Sequence, residues 1–262
     1  MKNLPRCLSK ILKPALPNSH DHAGTPRFRL TVLLISGVLA LVAWGGPVAA
    51  EEVESTIARG GRLYDKWWAV IDTDPPEEAN PAYPETGAYY GKKNADWRCK
   101  ECHGWDYRGA AGVYGSGKHH TGIPGIEAAS GADPKSIAST LTDDTHGFGD
   151  LLEVGDLSDL AMFVSMGQSK MDEFIDPSSN LPTGDAAQGS AYFNTVCANC
   201  HGRDGKEPED MEPLGKLAAD NPWEVLHKIM NGQPDEDMPA MRAFGSQVVA
   251  DLLAHVATLP KE

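Results

Sequence analysis

Cys99–His103 (CKECH) and Cys197–His201 (CANCH) are the two stretches that decide the fold of this chain, and each has the pattern Cys-x-x-Cys-His followed by glycine. Two thiols one helical turn apart can form thioethers to the two vinyl groups of one haem, and the next histidine then lies below the iron. The sequence therefore predicts two covalently attached haem c groups. Their attachment residues are Cys99, Cys102, Cys197 and Cys200, and their proximal iron ligands are His103 and His201.

Other functions of a Cys-x-x-Cys pair fit this sequence less well. A redox dithiol usually occurs singly within a βαβ pattern, and no such pattern surrounds these motifs. A zinc site built from two such pairs normally has them about 15–20 residues apart, whereas Cys102 and Cys197 are separated by 95 positions. A disulfide within either pair would close a strained loop. Two motifs of the same form make haem attachment the favoured interpretation.

The first 50 residues have the pattern of an export signal. Residues 1–29 contain six basic residues and one acid, residues 30–44 are largely apolar and uncharged, and residues 48–50 are small. A basic region, an apolar core and a small-residue cut site are typical of a secretory signal. We therefore expect cleavage after Ala50 and an exported, periplasmic protein. The alternative is an uncleaved membrane anchor, but 15 apolar-region residues are fewer than the roughly 20 that a spanning helix needs.

The charge of the chain narrows the choice of partners. Residues 51–262 contain 17 Lys and Arg residues against 36 Asp and Glu residues, a formal charge near −19. A surface this acidic repels nucleic acid and anionic lipid, so we expect neither as a partner, and no membrane span once the signal is cleaved. A redox partner protein with a basic docking face fits better, because opposite charges speed the encounter. The alternative is that the charge only keeps an exported protein soluble.

The same helical pattern surrounds both motifs. Ahead of them, residues 58–64 and 186–193 each predict a helix with a glycine that lets another helix cross closely. Behind them, Asp133-Pro134 and Asn221-Pro222 are each an N-cap followed by proline at the first helical position. Each half then ends in an amphipathic helix. Its apolar residues are Leu157, Leu160, Ala161, Phe163 and Val164 in the first half and Val248, Val249, Leu252, Leu253 and Val256 in the second.

This order of helix, haem motif, capped helix, ligand loop and terminal helix resembles the class I cytochrome c family over nearly all of residues 55–260. The resemblance implies a mainly α fold of two tandem cytochrome c-like helical domains, in which each terminal helix crosses the first helix. We expect domain 1 at residues 51–167, a linker at residues 168–183 and domain 2 at residues 184–262. The second half matches the family more closely than the first.

The halves differ by an insertion ahead of the first motif. Tyr64 and Cys99 are 35 positions apart, whereas Tyr192 and Cys197 are five apart, so the first domain carries about 30 additional residues. A loop of this length is usually functional or disordered, and its tryptophans and tyrosines argue against disorder. We favour packing against its own domain, and the alternatives are covering the first haem or docking a partner.

The resemblance also implies a distal iron ligand ahead of each terminal helix, commonly a methionine followed by proline. Met238-Pro239 lies 13 positions before Asp251, and His146 lies 13 positions before the corresponding Asp159. We therefore expect Met238 to bind the second iron and His146 to bind the first, in place of the family's methionine. The alternatives are Met241 and Met211 for the second haem and His119, His120, Met162, Met166 and Met171 for the first.

A carbonyl partner for each proximal histidine follows from the same resemblance, because the family uses a proline carbonyl to orient that ring. Pro213 is the expected partner of His201, and Pro124 is the expected partner of His103. Two other histidines, His227 and His255, fall on predicted helices, where we expect surface or core positions.

These features predict a dihaem electron carrier that passes single electrons between redox partners in the periplasm. Methionine raises a haem's reduction potential relative to histidine at the same site, so we expect electrons to pass from the first haem to the second. No catalytic base is evident in the sequence. The alternatives are a catalytic or electron-transfer subunit of a periplasmic oxidoreductase, for example one acting on small sulfur compounds, and a structural haem wire within a larger complex.

Overall fold

The computed structural model describes residues 46–93 and 95–262, with side chains from residue 52 onward. Most of the predicted export signal lies outside the described residues, so cleavage after Ala50 stays a prediction. The described residues form one compact, mainly helical unit, which confirms the predicted fold class. Within them, pairing of the β type is limited to two isolated bridges, Gly109 with Pro124 and Ile175 with Pro182.

Within residues 46–93 and 95–167, the first half contains four α-helices. They are α1 (Gly46–Val70), α2 (Cys99–His103), α3 (Pro134–Leu141) and α4 (Val154–Met162), and α4 continues into a π-helical turn at Phe163–Gly167. The helix α3 starts where the sequence predicts it. The Asp133 carboxylate caps this start by accepting a hydrogen bond from the Lys135 amide. A capping box formed by Glu153 and Asp156 starts α4.

Within residues 184–262, all of which are described, the second half contains five α-helices. They are α5 (Ala186–Tyr192), α6 (Ala198–His201), α7 (Leu214–Asp220), α8 (Pro222–Asn231) and α9 (Ser246–Val256), with a π-helical turn at Phe193–Cys197 between α5 and α6. The Asp185 carboxylate caps α5, and the Asn221 side chain caps α8 by accepting from the Glu224 amide. Short 3₁₀ turns lie at Glu127–Ala129, Phe148–Asp150, Met171–Glu173 and Arg242–Phe244.

The first and last helices of each half cross at a glycine. Gly60 of α1 faces the Asp159 carbonyl of α4, and Gly189 of α5 faces the Asp251 carbonyl of α9. A Cβ atom at either glycine would collide with that oxygen, so each crossing needs a residue without a side chain. The two crossings place Asp159 and Asp251 at the same position of the repeat, which is the register that aligns the two expected distal ligands.

The two halves pack directly on each other through α1 and α8. His227 of α8 is fully buried at this contact. Its Nδ1 accepts a hydrogen bond from the Tyr107 hydroxyl at 2.8 Å, and its Nε2 donates to the Gly61 carbonyl at 2.9 Å. Burial lowers the pKa of His227 to about 4, so the ring is neutral at neutral pH. His227 therefore joins the halves, whereas His255 lies at the crossing within the second half, 5.1 Å from the Phe193 ring.

A buried carboxylate adds charge pairs to the same contact. Asp65 of α1 is 1% exposed, and it pairs with Lys228 of α8 at 2.8 Å and with Arg98 ahead of the first motif. Burial by itself raises the pKa of a carboxyl group, but these two cations outweigh it and hold the pKa of Asp65 well below its usual range. The carboxylate is therefore ionised and paired across the two halves.

The segment expected to be a linker, residues 168–183, packs against the rest of the chain. Met171, Phe174 and Ile175 are buried, and they belong to the hydrophobic core that extends through both halves. The side-chain amide of Gln168 donates to the Ile126 carbonyl at 2.9 Å. This connection thus contributes to the core instead of separating two independent domains.

The insertion ahead of the first motif folds against its own half. Trp67 lies at the end of α1, just after the backbone leaves helical geometry at Lys66, and its ring nitrogen donates to the Trp97 carbonyl at 3.0 Å. Tyr83 is also buried. The Asp96 carboxylate accepts hydrogen bonds from backbone amides within the insertion. Of the interpretations considered, packing against its own domain is the one that these contacts favour.

Candidate functional site

The first Cys-x-x-Cys-His motif forms the short helix α2, with both cysteines beside the core. Cys102 is buried and Cys99 is partly buried, and burial raises the pKa of each thiol to about 12. A redox dithiol needs a readily formed thiolate, so this environment argues against that alternative. All four cysteines of the described residues are free of disulfide bonds.

His103 and His146 face each other in the first half. Their ring centroids are 6.4 Å apart, with 21° between the ring planes. Nitrogen–metal bonds to imidazole are about 2.0–2.1 Å long, and two such bonds plus the half-widths of two rings account for this separation. The residues present therefore fit a haem iron held between the two rings, with Cys99 and Cys102 alongside for attachment.

Hydrogen bonds made by Nδ1 orient the rings of His103 and His146. Nδ1 of His103 donates to the Pro124 carbonyl at 2.7 Å, as the resemblance implied, and Nδ1 of His146 lies 3.1 Å from the Asp143 carboxylate. Burial lowers the pKa of His103, and the bond to Pro124 opposes that shift. A neutral ring whose Nδ1 is held in this way presents Nε2 to a metal. The isolated bridge between Gly109 and Pro124 positions the Pro124 carbonyl beside Nδ1 of His103.

Asp143 is a site residue that the sequence reasoning missed. Its carboxylate also accepts hydrogen bonds from the Thr145 and His146 amides, both at 2.9 Å, and these bonds hold the pKa of Asp143 below its usual range. An aspartate that binds backbone amides two and three positions ahead is typical of a tight turn. The sequence Asp143–His146 therefore contained the signal for this contact.

The other histidines considered for the first iron have different partners. His119 is stacked between the Tyr89 and Tyr114 rings, at centroid distances of 4.9 and 4.6 Å, and its Nδ1 is 2.5 Å from the Glu101 carboxylate. His120 contacts the Tyr114 carbonyl at 3.1 Å. The structure therefore brings His146 opposite His103 and engages His119 elsewhere. Of the methionines considered, Met171 is buried in the core, Met166 is exposed and Met162 is half-buried.

The second motif differs from expectation in the partner of its histidine. Nδ1 of His201 lies 3.3 Å from the Glu207 carbonyl, so the expected bond to Pro213 is wrong. The Pro213 carbonyl instead accepts hydrogen bonds from the Lys216 and Leu217 amides in the first turn of α7. Pro213 is the N-cap of this helix, and the carbonyl of an N-cap residue accepts the first hydrogen bond within the helix. Burial lowers the pKa of His201 and raises that of the Cys197 thiol to about 11.

Met238 and its rival Met241 lie in different surroundings. Met238 is half-buried in the loop between α8 and the Arg242–Phe244 turn, and it lines an open cleft beside α1. Met241 is 3% exposed, lies within the hydrophobic core, and its amide donates to the Ile229 carbonyl at 2.9 Å. Met211 lies half-buried in the loop ahead of α7. Met238 and Met211 are thus both half-buried loop residues, whereas Met241 is buried in the core.

Among the side chains that the structure describes, no group of three or more His, Cys, Asp or Glu residues converges so as to hold a metal ion directly. In the same part of the chain, every helix falls short of the length and apolar character that crossing a membrane requires.

Comparison with known proteins gave one match. Residues 184–258 match the family model described as cytochrome C oxidase, cbb3-type, subunit III. No curated protein and no solved structure matched the chain. The matched region contains the second motif and Met238, and it is similar to a cytochrome c domain. The match supports a c-type cytochrome with covalently bound haem and a role in electron transfer.

Proposed function

We propose that the chain is an exported dihaem c-type cytochrome that passes single electrons between redox partner proteins in the periplasm. The pairing of His103 with His146, at a separation that suits one iron, is the observation that carries the proposal. The family match over residues 184–258 supports the haem at the second motif. The shared helix crossings support the same design in both halves.

The two haems are proposed to differ in their distal ligand, His146 at the first and Met238 at the second. A neutral thioether favours reduced iron, whereas a second imidazole favours oxidised iron. The contact of His146 with the Asp143 carboxylate strengthens the imidazole as a donor and adds to the difference. Electrons would therefore pass from the first haem to the second.

Haem bound at each motif supplies a one-electron iron couple, and the residues of the chain set how that couple is used. His103 and His146 would hold the iron, with Pro124 and Asp143 keeping their rings oriented. With both histidines bound, the iron would have no open position for a substrate. This arrangement favours electron transfer over catalysis.

Haem content and ligand state test the proposal. Holoprotein should contain two haems per chain, and the Cys99→Ser/Cys102→Ser and Cys197→Ser/Cys200→Ser pairs should each retain one. Electron paramagnetic resonance of the oxidised wild type should show one His/His and one His/Met iron. One haem per wild-type chain would contradict the dihaem proposal, and rapid carbon monoxide binding at the first reduced haem would favour the catalytic alternative.

A further inference from the structure

The loop that carries Met238 is bound at both ends by the first half of the chain. It starts after Asn231, the last residue of α8, and ends at Arg242, the first residue of the 3₁₀ turn ahead of α9. These two residues, the stems of the loop, both contact α1, which belongs to the first half. The position of the loop in the second half is therefore set by a helix of the other half.

Asn231 is fully buried and is bound through both its backbone and its side chain. Its backbone carbonyl accepts a hydrogen bond from Nη1 of Arg62 at 2.9 Å. Its side-chain amide donates to the His227 carbonyl at 2.9 Å. Gly61 of α1 packs against this side chain so closely that a Cβ atom there would collide with it. The first stem of the loop is therefore held against α1.

Arg242 fixes the second stem. Its Nη1 donates to the Asn231 side-chain oxygen at 2.6 Å, so the two stems are bonded to each other. Its Nε donates to the Glu54 carboxylate of α1 at 2.9 Å. Its Nη2 lies 3.4 Å from the Gly167 carbonyl, which is also in the first half. Each stem thus has a charged partner on α1.

The α1 residues involved share one face of that helix. Glu54, Ala58 and Arg62 are spaced four apart, which places them in one row along the helix. All three line the same cleft as Met238. Ala58 is 3% exposed and lies in this row between the two charged residues.

We propose that α1 clamps the ligand loop of the second haem, with Arg62 and Glu54 as positioning residues. The inference rests on the proposed function in one point, the ligation of the second iron by Met238. Ordering a loop costs backbone entropy, and fixing both stems lowers the cost of holding its thioether at the iron. Ligation in the second half therefore depends on contacts made by the first half.

Hydrogen exchange of the full-length holoprotein tests the clamp without reference to the iron. Arg62→Ala should increase amide exchange in residues 232–241 several-fold, and Arg62→Lys should restore part of the protection because lysine keeps one donor for the Asn231 carbonyl. Arg59→Ala is the matched control, since Arg59 lies on the same helix but pairs with Asp156 and Asp159 of its own half. Wild-type exchange in Arg62→Ala, or an equal increase in Arg59→Ala, would overturn the clamp.

The long-wavelength absorption band of methionine-bound ferric haem provides the second measurement. Arg62→Ala and Glu54→Gln should weaken this band several-fold relative to wild type, while the His/His resonance signal of the first haem stays unchanged. A full-strength band in both variants would overturn the positioning role. Met238→Ala should abolish the band, and a band that persists in that variant would refute the ligand assignment of the proposed function while leaving the exchange result as a separate test.

Discussion

At the scale of single residues, the surroundings of two similar histidines differ in charge. His103 donates to the neutral Pro124 carbonyl, whereas His146 lies against the Asp143 carboxylate. A carboxylate partner makes imidazole a stronger electron donor to a bound metal. The proposed first haem is therefore tuned from its distal side, by a residue three positions before the ligand.

We expect Asp143→Asn to raise the midpoint potential of the proposed first haem. Asparagine keeps an oxygen for the backbone amides of the turn but removes the negative charge that stabilises oxidised iron. If the variant changes relative ligand affinity about tenfold, the one-electron potential moves by roughly 60 mV. Potentiometric titration followed by electron paramagnetic resonance would measure the shift.

Two variants complete that measurement. Asp144→Asn removes the same charge from the neighbouring exposed position and should leave the potential near the wild-type value. His146→Met should raise the potential further and abolish the His/His signal. An unchanged low midpoint in His146→Met would contradict the assignment of His146 as a ligand.

At the scale of helices, the crossing glycines determine how closely the first and last helices of each half approach each other. The distance between α1 and α4, and between α5 and α9, depends on the absence of a side chain at one position. The nearest atom on the partner helix is a backbone carbonyl oxygen, so a change of side-chain rotamer cannot relieve a collision with an added Cβ atom. The crossing in each half is therefore sensitive to a single added methyl group.

Gly60→Ala and Gly189→Ala should each destabilise the protein by about 1–3 kcal/mol, as expected for overpacking at a close contact. Gly155→Ala in α4 is the control, because a Cβ atom at Gly155 meets no atom within 4 Å. Alanine there should be neutral or stabilising by up to about 1 kcal/mol, since it favours the helix. Urea unfolding of the holoprotein measures all three, and equal midpoints for Gly60→Ala and Gly155→Ala would be inconsistent with the crossing.

At the scale of the whole molecule, the halves are joined by a neutral histidine and a paired carboxylate. His227 is held between Tyr107 and Gly61, and Asp65 pairs with Lys228 across the contact. Buried polar groups of this kind stabilise a contact only while each keeps its partner. The arrangement of the two halves therefore depends on the protonation state of His227.

Stability should fall as the pH is lowered from about 6.5 to about 4. The unfolded chain binds a proton at His227 with an ordinary pKa of about 6.5, whereas burial lowers the folded pKa to about 4. Between these values the unfolded state holds more protons, so stability rises with pH by at most about 1.4 kcal/mol per unit. Urea unfolding as a function of pH should show this slope in the wild type and a smaller one in His227→Gln. Equal slopes would show that His227 does not titrate in this window.

Features that depend on short spacing could be read from the sequence. The Cys-x-x-Cys-His motifs, the Asp133-Pro134 and Asn221-Pro222 helix starts and the crossing glycines each depend on residues within one or two turns of a helix. The alignment of His146 with Met238 followed from counting back from the terminal helices, and the crossings preserve that register. The mainly α fold is a consequence of these local patterns.

The sequence by itself thus predicted the helices other than α7, the repeat and the proposed attachment residues, because these follow from local chemistry and periodicity. Only the tertiary structure decided that Glu207 replaces Pro213 as the partner of His201, that residues 168–183 are packed, and that His227 joins the halves. The first outcome depends on which groups of the second half compete for the Pro213 carbonyl. The other two depend on which residues of the two halves meet in space, and the sequence pattern does not contain those contacts.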